Sequence, residues 1–194
     1  MKRLFDIIFS SFGLILFSPI FLITSFLIWA EDFHSPLYIA NRVGKNKKIF
    51  KMIKFRSMII NADKSGVDST GTNDKRITKI GKYVRKFKLD ELTQLINVFK
   101  GDISLVGPRP NVKSETDLYT DQELKLLGVM PGITDISSIV FSDEGEILKW
   151  HQDPDLAYNQ LIRPWKSRLS LFYIQERDLI MDVLLILTTL ISII

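Results

Sequence analysis

The chain of 194 residues is 46 % hydrophobic and 25 % charged, with a formal net charge of +4, which suffices for one domain with a hydrophobic core. It contains no cysteine and only two histidines, so disulfides, thiol catalysis and cysteine-based zinc sites are excluded. A bound metal is therefore expected to have oxygen ligands, as Mg²⁺ does.

Residues 1–30 form a long apolar segment with a basic start. About 20 apolar residues suffice to span a membrane, so a straight transmembrane helix is one interpretation. A secretory signal is disfavoured, because no small-residue cleavage site precedes Glu31. Ser18 and Pro19 lie at the midpoint, where proline bends a helix. The serine hydroxyl can bond to backbone groups that the break leaves unpaired.

Charge favours a helix that breaks and re-enters the same face. Lys2 and Arg3 precede the apolar segment, and residues 42–56 contain seven basic residues and no acid. Basic flanks tend to stay on the cytoplasmic side of a membrane, and a hairpin broken at its midpoint keeps both flanks there. We therefore predict a re-entrant membrane hairpin over residues 1–30, with the straight span as the alternative.

The next stretch, residues 35–58, predicts a β-hairpin. Two apolar runs, at 37–39 and 49–50, flank a turn rich in glycine, lysine and asparagine. Its basic residues have two interpretations. They form a solvated face that touches anionic lipid headgroups, or Lys54 and Arg56 contact a phosphate group. The sequence alone leaves both open.

A basic helix and an acid pair follow the hairpin. Residues 61–74 are polar and contain two glycines, which predicts a mobile loop. The apolar spacing of residues 77–87 predicts a helix whose other side is basic, since residues 75–88 contain seven basic residues and no acid. Asp90 and Glu91 come next, and the aspartate is expected to begin and cap a second helix.

The acid pair has a structural and a chemical interpretation. Capping the second helix would explain Asp90 and Glu91 alone, but the cations before them and the Gly-Pro-Arg-Pro turn at 107–110 favour a site for a polyanion. A carboxylate beside cations at a helix start is expected to stay ionised, which suits a nucleophile for phosphoryl transfer. Its neighbour can hold Mg²⁺.

The C-terminal half predicts further helices. The acids at 143–146 are expected to begin a helix, and residues 155–172 predict an amphipathic helix interrupted near Arg163. The apolar run from 179 to 194 is too short to span a membrane, so it is expected to lie against the core or in the membrane interface. His151 is expected to be a surface residue.

Four stretches of the sequence resemble, in order, motifs of a known family. The matching stretches are the basic start with the break at 18–19, residues 50–58, residues 89–110 and residues 131–134. Together they resemble the bacterial sugar transferases that act on polyprenyl phosphate, the small monotopic phosphoglycosyl transferases, and they cover nearly the whole chain.

The resemblance implies both a fold and a function. The fold would be α+β and mostly helical, with a re-entrant helix-break-helix membrane hairpin over residues 1–30. A cytoplasmic catalytic domain with a β-hairpin and interfacial amphipathic helices would occupy residues 31–194. The implied reaction moves a sugar-1-phosphate from a UDP-sugar to undecaprenyl phosphate and releases UMP, through a covalent aspartyl-phosphosugar intermediate. This is the first membrane step in assembling O-antigen, capsule, exopolysaccharide or glycoprotein glycans.

The resemblance also implies roles for individual residues. Asp90 would be the nucleophile and Glu91 the catalytic ligand of Mg²⁺, while Lys54, Arg85 and Arg109 would contact substrate phosphates. The implied partners are the UDP-sugar, undecaprenyl phosphate and membrane lipid, without nucleic acid, and a homodimer is compatible with the pattern. The implied location is the cytoplasmic face of the bacterial inner membrane.

The chain departs from the family pattern around residues 130–142. Many relatives have a basic residue where this chain has Met130, and they continue Gly-Leu-x-Gln-Val where this chain has residues 135–139. An aspartate of some relatives is replaced by Ser170. These departures predict altered phosphate contacts or sugar recognition, and they leave Asp90 and Glu91 unchanged.

Other functions also fit parts of the pattern. A membrane scaffold would explain the apolar and basic segments, but it gives the acid pair and Arg109 no role. A nucleic-acid binder would explain the basic clusters and would bind in a salt-sensitive manner, but no known binding motif accompanies them. A polytopic protein with two true spans is the topological alternative to the hairpin.

Overall fold

A computed structural model describes residues 1–62 and 74–193 and shows the predicted α+β, mostly helical fold. The predicted loop at 61–74 lies largely outside the described residues. The helices are α1 (Lys2–Leu16), α2 (Ser18–Asp32), α3 (Lys79–Lys86), α4 (Leu89–Leu92), α5 (Leu95–Lys100), α6 (Lys113–Thr116), α7 (Ile136–Val140), α8 (Glu144–Leu148), α9 (Pro154–Ala157), α10 (Arg163–Glu176) and α11 (Leu179–Ile193). The strands are β1 (Leu37–Val43), β2 (Ile49–Phe55), β3 (Ser104–Val106) and β4 (Gly132–Thr134).

The helix break is confirmed at the predicted place. α1 and α2 meet at Phe17 and are bent by 60°. The Ser18 hydroxyl donates to the Ile15 carbonyl at 2.8 Å. Pro19 lies in the first turn of α2, where a backbone N–H has no acceptor within the helix, so proline costs no hydrogen bond there. Within the described residues, no single helix has the length and apolar composition needed to cross a membrane, and α1 and α2 meet that test only as a bent pair.

The outward face of α1 is apolar, and the residues of this helix that are fully buried are polar or small. The buried residues of this helix are Asp6, Ser10 and Gly13. This arrangement is the reverse of that expected for a helix on a water-exposed surface. The exposed apolar residues of α1 are Leu4, Ile8, Phe9, Phe12, Ile15 and Leu16.

Polar contacts attach the start of α1 to the rest of the protein. Arg3 donates to the last carbonyls of α5, at 2.6 Å to Val98 and 2.8 Å to Phe99. The Asp6 carboxylate accepts hydrogen bonds at 3.0 Å from the Ser104 hydroxyl and from the next backbone N–H, both in β3. Lys2 forms a 2.5 Å ion pair with Asp182 of α11.

Strands β1 and β2 form the predicted β-hairpin. They pair antiparallel, from Leu37 opposite Phe55 to Val43 opposite Ile49. The turn between them includes Asn46 in the left-handed conformation, which asparagine tolerates well. One face of the hairpin buries the paired residues Ala40 and Met52, while Val43 and Phe55 are buried on the opposite face, near its two ends.

A second, parallel pair joins two segments that the sequence showed only as turns. Ser104 pairs with Gly132, and Val106 pairs with Thr134. The two segments approach so closely that a Cβ on Gly132 would lie 2.1 Å from the Gly107 nitrogen. Both glycines are therefore required by space, and the pairing fixes the Gly-Pro-Arg-Pro turn.

The main core draws side chains from helices at both ends of the chain. Its buried residues come from α5, the segment around β3, and α10, and they are Leu95, Val98, Ile103, Leu105, Val106 and Tyr173. Partly buried residues of α1, α2 and α11 pack against it: Phe5, Leu14, Phe21, Met181, Leu185 and Ile186. The predicted placement of α11 against the core is thus confirmed for one face of that helix.

The remaining C-terminal predictions are largely confirmed. Acidic residues lie in the first turn of α8, and His151 is exposed. The predicted helix at 155–172 is interrupted as expected. A π-helical turn (Tyr158–Ile162) separates α9 from α10, which has Pro164 in its first turn.

Candidate active site

The acid pair lies in a tight connection between two helices. After α3 ends, Lys88 adopts the left-handed conformation, with φ 50°, and caps α4. Asp90 and Glu91 therefore lie within the first turn of this four-residue helix. The prediction that Asp90 begins and caps the helix was wrong by two positions, because the chain turns at Lys88. Such left-handed non-glycine residues are costly and concentrate at functional sites.

Two buried polar residues fix the acid pair against β2. The single helix expected after the pair is divided into α4 and α5 at Thr93, whose hydroxyl lies 3.0 Å from the carbonyls of Asp90 and Ile53. The fully buried Asn97 accepts from the Ile53 N–H at 2.9 Å and donates to the Lys51 carbonyl at 2.8 Å. These contacts place Lys54, the next residue of β2, beside the acid pair.

The structure brings the predicted site residues together. The charges of Lys54, Arg85 and Arg109 all act on Asp90. Arg109 donates to the Glu91 carboxylate at 2.7 Å. Five residues that are up to 55 positions apart in the sequence therefore form one cluster of two acids and three cations.

The two carboxylates of this cluster differ in acidity. Burial raises the pKa of Asp90 above its usual value; Lys54 opposes this effect and the charge of Glu91 adds to it. Burial also acts on Glu91, but Arg109 and Lys54 outweigh it and hold its pKa below the usual range. The cations therefore hold the pKa of Glu91 down, whereas burial outweighs them at Asp90 and raises its pKa.

The pKa values of two of the three cations, Lys54 and Arg109, are also shifted by this environment. Burial lowers the pKa of Lys54, and the positive charge of Arg109 lowers it further. Glu91 raises the pKa of Arg109. Arg109 therefore remains charged at all working pH values, whereas Lys54 loses its charge at a lower pH than an ordinary lysine.

Arg56 does not belong to the site. Its guanidinium is buried and donates to both oxygens of Asp32, at 2.5 and 2.7 Å, and to the Ser35 carbonyl at 2.8 Å. Hairpin packing brings the end of α2 to this arginine. Of the two open interpretations, the phosphate contact was therefore wrong for Arg56 and stays a prediction for Lys54.

The carboxylates fit a magnesium ion shared with substrate. Among the described residues, no group of three or more histidine and carboxylate side chains could hold a metal. Mg²⁺ is commonly bound through one or two carboxylates together with substrate phosphates. Glu91, the predicted ligand, supplies one such carboxylate.

Two positions that depart from the family pattern contact each other. Asp135 is fully buried and accepts a 2.7 Å hydrogen bond from the Ser170 hydroxyl. It also accepts from the hydroxyl of Ser137 and caps α7 through the Ser138 N–H. Its charge acts on Arg109. This role of Asp135 could not be predicted, because a lone acid after a turn carries no signal of such burial.

Comparison with known proteins identifies relatives over the whole chain. A family model described as "Bacterial sugar transferase" matches residues 1–194. The chain is 34 % identical to the UDP-N-acetylgalactosamine-undecaprenyl-phosphate N-acetylgalactosaminephosphotransferase of Aeromonas hydrophila, over 89 % of this chain and 42 % of that protein. It is 35 % identical to the undecaprenyl-phosphate galactose phosphotransferase of Salmonella typhimurium, over 81 % and 38 %.

A third relative is nearer in length. The exopolysaccharide production protein ExoY of Rhizobium meliloti is 37 % identical, over 71 % of this chain and 68 % of that protein. The chain thus spans about two fifths of the Aeromonas and Salmonella proteins and about two thirds of the Rhizobium protein.

Proposed function

The chain belongs to the bacterial sugar transferase family, and from this premise we propose that it transfers a sugar-1-phosphate from a UDP-sugar to undecaprenyl phosphate and releases UMP. The observation that carries the proposal is the cluster in which Asp90 and Glu91 meet Lys54, Arg85 and Arg109. The names of the Aeromonas and Salmonella relatives support the class of donor and acceptor.

The cluster suits a reaction between two anions. A diphosphate sugar and a lipid phosphate repel each other, and both repel a carboxylate nucleophile. Fixed positive charge offsets this repulsion where it develops. Lys54, Arg85 and Arg109 supply that charge, and Glu91 holds Arg109 in place at 2.7 Å. Bound Mg²⁺, with Glu91 as its ligand, would neutralise the diphosphate further.

We assign the covalent step to Asp90. An Asp90 carboxylate oxygen forms a bond to the sugar-bearing phosphorus while the bond from that phosphorus to the UMP oxygen breaks. An oxygen of undecaprenyl phosphate then attacks the same phosphorus, and the bond to Asp90 breaks. Two displacements let one site serve both substrates in turn. The raised pKa of Asp90 favours an oxygen that is more basic than that of an ordinary aspartate.

The helix pair supports a membrane location. The outward face of α1 is apolar, as described above, and both ends of the pair bond to the same body of protein. Arg3 caps α5 at the start, and at the end Glu31 accepts from the first N–H of α3, at Lys79, with a separation of 2.8 Å. A hairpin tied at both ends enters and leaves one face of a bilayer. We therefore place the protein at the cytoplasmic face of the inner membrane.

Nucleotide release tests the reaction. Protein in lipid nanodiscs is mixed with Mg²⁺, undecaprenyl phosphate and a panel of UDP-sugars, beside the Asp90→Asn variant. Asp117→Asn is the matched control, because Asp117 is an exposed aspartate that pairs with Lys113. We expect lipid-dependent UMP release by the wild type and the control, and a loss of at least roughly 10³-fold in Asp90→Asn. Release of UDP would mean transfer of the bare sugar and would refute the proposal.

Labelling tests the covalent intermediate. The donor carries a label in the sugar, and undecaprenyl phosphate is left out. The amount of label bound to the protein should then equal the amount of UMP released, and Asp90→Asn should carry no label. Label that moves only when lipid is present would show a direct displacement and remove the covalent step.

Cysteine labelling tests the hairpin, since the native chain has no cysteine. A cysteine placed before Met1 and Ala30→Cys should both react with an impermeant maleimide in inverted vesicles and not in spheroplasts. Reaction of the two cysteines from opposite sides would establish a straight span instead.

A further inference from the structure

Arg109 also lines a narrow cleft, whose walls include neither Asp90 nor Glu91. The cleft lies between the Gly-Pro-Arg-Pro turn, the segment around Tyr119, and α10, and its volume is about 50 Å³. Its walls carry three cations, Arg109, Arg163 and Lys166, together with two tyrosines and three serine hydroxyls. Within the described part of the chain, no carboxylate lines it.

Each cation of the cleft is held by an acid outside it. Arg109 pairs with Glu91 at 2.7 Å, and Lys166 pairs with Glu144 of α8. Arg163 lies 3.6 Å from a carboxylate oxygen of Glu123. The cleft is thus lined by the three basic residues and, within the described part of the chain, by none of the acids that pair with them. An anion in the cleft would be attracted by all three cations and would compete with those acids.

The size of the cleft restricts its occupant. A volume of about 50 Å³ exceeds the roughly 10–15 Å³ that a cavity needs to hold one water molecule. This space suits one small anionic group. The ring of Tyr158 forms part of the wall with the Lys166 ammonium 5.4 Å from its centre. Tyr158 begins the π-helical turn, a feature common at functional sites.

The reaction proposed above gives such an anion a place. In an in-line displacement, the attacking and leaving oxygens lie on opposite sides of the transferred phosphorus. The phosphate that leaves with the nucleotide is therefore directed away from Asp90. Arg109 is the residue that the acid cluster and the cleft share, so it links the two positions.

We propose that this cleft is a subsite for a phosphate monoester, with Lys166 as its main cation and Arg109 as the link to the acid cluster. The inference rests on the proposed function. Two sources share the required chemistry: the phosphate of the departing nucleotide and the phosphate of the lipid acceptor. The in-line geometry applies to both, since each is bonded to the transferred phosphorus on the side opposite Asp90.

Binding measurements test the subsite without turnover. The affinity of UMP for the protein in nanodiscs is measured by calorimetry, for the wild type, Lys166→Ala and Glu144→Gln. A charged hydrogen bond lost in Lys166→Ala should weaken UMP about 10- to 100-fold, and Lys166→Arg should restore much of it. Uridine, which lacks the phosphate, should bind the wild type and Lys166→Ala equally.

Glu144→Gln separates binding from structure. Removing the acid that competes for Lys166 should leave UMP binding unchanged or tighter. If the ion pair only supports the fold, Lys166→Ala and Glu144→Gln should weaken UMP alike and lower the melting temperature alike, which would overturn the proposal. Lys149→Ala is the matched control, because Lys149 pairs with Glu146 of α8 and does not line the cleft.

A parallel measurement with a short-chain polyprenyl phosphate identifies the source. Weaker UMP binding in Lys166→Ala assigns the subsite to the nucleotide, weaker polyprenyl-phosphate binding assigns it to the acceptor, and either result supports the subsite. Unchanged affinity for both ligands overturns it. That failure would leave Asp90-dependent UMP release intact, whereas release of UDP would refute the proposed function whatever Lys166 binds.

Discussion

Replacing Asn97 by alanine tests how the site is held together. Asn97 is fully buried and makes three hydrogen bonds: from the Ile53 N–H at 2.9 Å, to the Lys51 carbonyl at 2.8 Å and to the Asp102 carboxylate at 2.9 Å. Two of them join α5 to β2, next to Lys54. Alanine removes all three, so both stability and the position of Lys54 should suffer.

The expected loss follows from those contacts. A hydrogen bond contributes roughly 0.5–1.5 kcal/mol net, so three give about 1.5–4.5 kcal/mol. For a chain of this size, a middle value of about 3 kcal/mol corresponds to a melting temperature lowered by about 6–12 °C. Thermal unfolding in one detergent, read by circular dichroism, measures this shift. UMP release measured well below the melting temperature should also fall, because Lys54 loses its fixed distance to the acid pair.

Two further variants make the test specific. Lys100→Ala removes an exposed side chain of the same helix that also pairs with Asp102, at 3.6 Å, and it should change stability by less than about 0.5 kcal/mol. Asn97→Asp keeps the size and the acceptor for Ile53 but loses the donor to Lys51, so it should be at least as harmful as alanine. Recovery of stability in Asn97→Asp would show that volume matters here and the hydrogen bonds do not.

Single contacts elsewhere give three further predictions. Gly132→Ala should prevent folding, because the new Cβ would lie 2.1 Å from a facing backbone nitrogen. Gly128→Ala is the control and should melt like the wild type, because its Cβ would meet nothing within 4 Å. Equal melting temperatures for the two variants would contradict this reasoning. Because burial lowers the pKa of Lys54, kcat/KM should fall at a lower pH than that at which an ordinary lysine loses its charge. An unchanged pH profile of kcat/KM in Lys54→Arg would exclude this residue as the cause. Hydrogen bonds from Arg56 lower the pKa of Asp32 to about 2, so the contact stabilises the fold above the usual value of 3.8 and is lost as the pH falls towards 2. Arg56→Lys should therefore lower the melting temperature more at pH 5 than at pH 2, and an equal drop at both would count against the ion pair.

Elements with a local cause could be predicted from the sequence. The break between α1 and α2 depends on the proline at its own position and on the Ser18 hydroxyl, which bonds three residues back. The β-hairpin depends on apolar runs beside a turn. The basic helix α3 depends on apolar residues at helical spacing. In each case, neighbouring residues supply the information, so no distant contact is needed.

The supports of the site could not be predicted, because distant residues supply them. In the sequence, Arg56 looks as well suited to bind phosphate as Lys54. The ion pair with Asp32 of α2, which the sequence does not reveal, gives Arg56 a structural role instead. Thr93 and Asn97 look like interruptions of an apolar helix until β2 is seen to accept and donate beside them. Buried polar residues of this kind are satisfied by partners elsewhere in the chain, and the sequence does not name the partner.

The same reasoning predicts that α1 and α2 fold as one unit with the rest of the chain. Removal of residues 1–30 would take away Arg3 and Asp6, which bond α5 and β3, and leave Asp182 buried without Lys2. It would also remove five apolar side chains from the core, of which Ile28 is fully and the other four are partly buried. Full burial of each would contribute about 1.5–3 kcal/mol, so the upper limit of roughly 15 kcal/mol is comparable with the whole stability of a typical domain. We therefore expect the fragment 31–194 to be degraded by trypsin within the time in which the full chain in detergent resists it. A fragment that resists trypsin and releases UMP would refute this coupling. The side chains lost from the core are Phe5, Leu14, Phe17, Phe21 and Ile28.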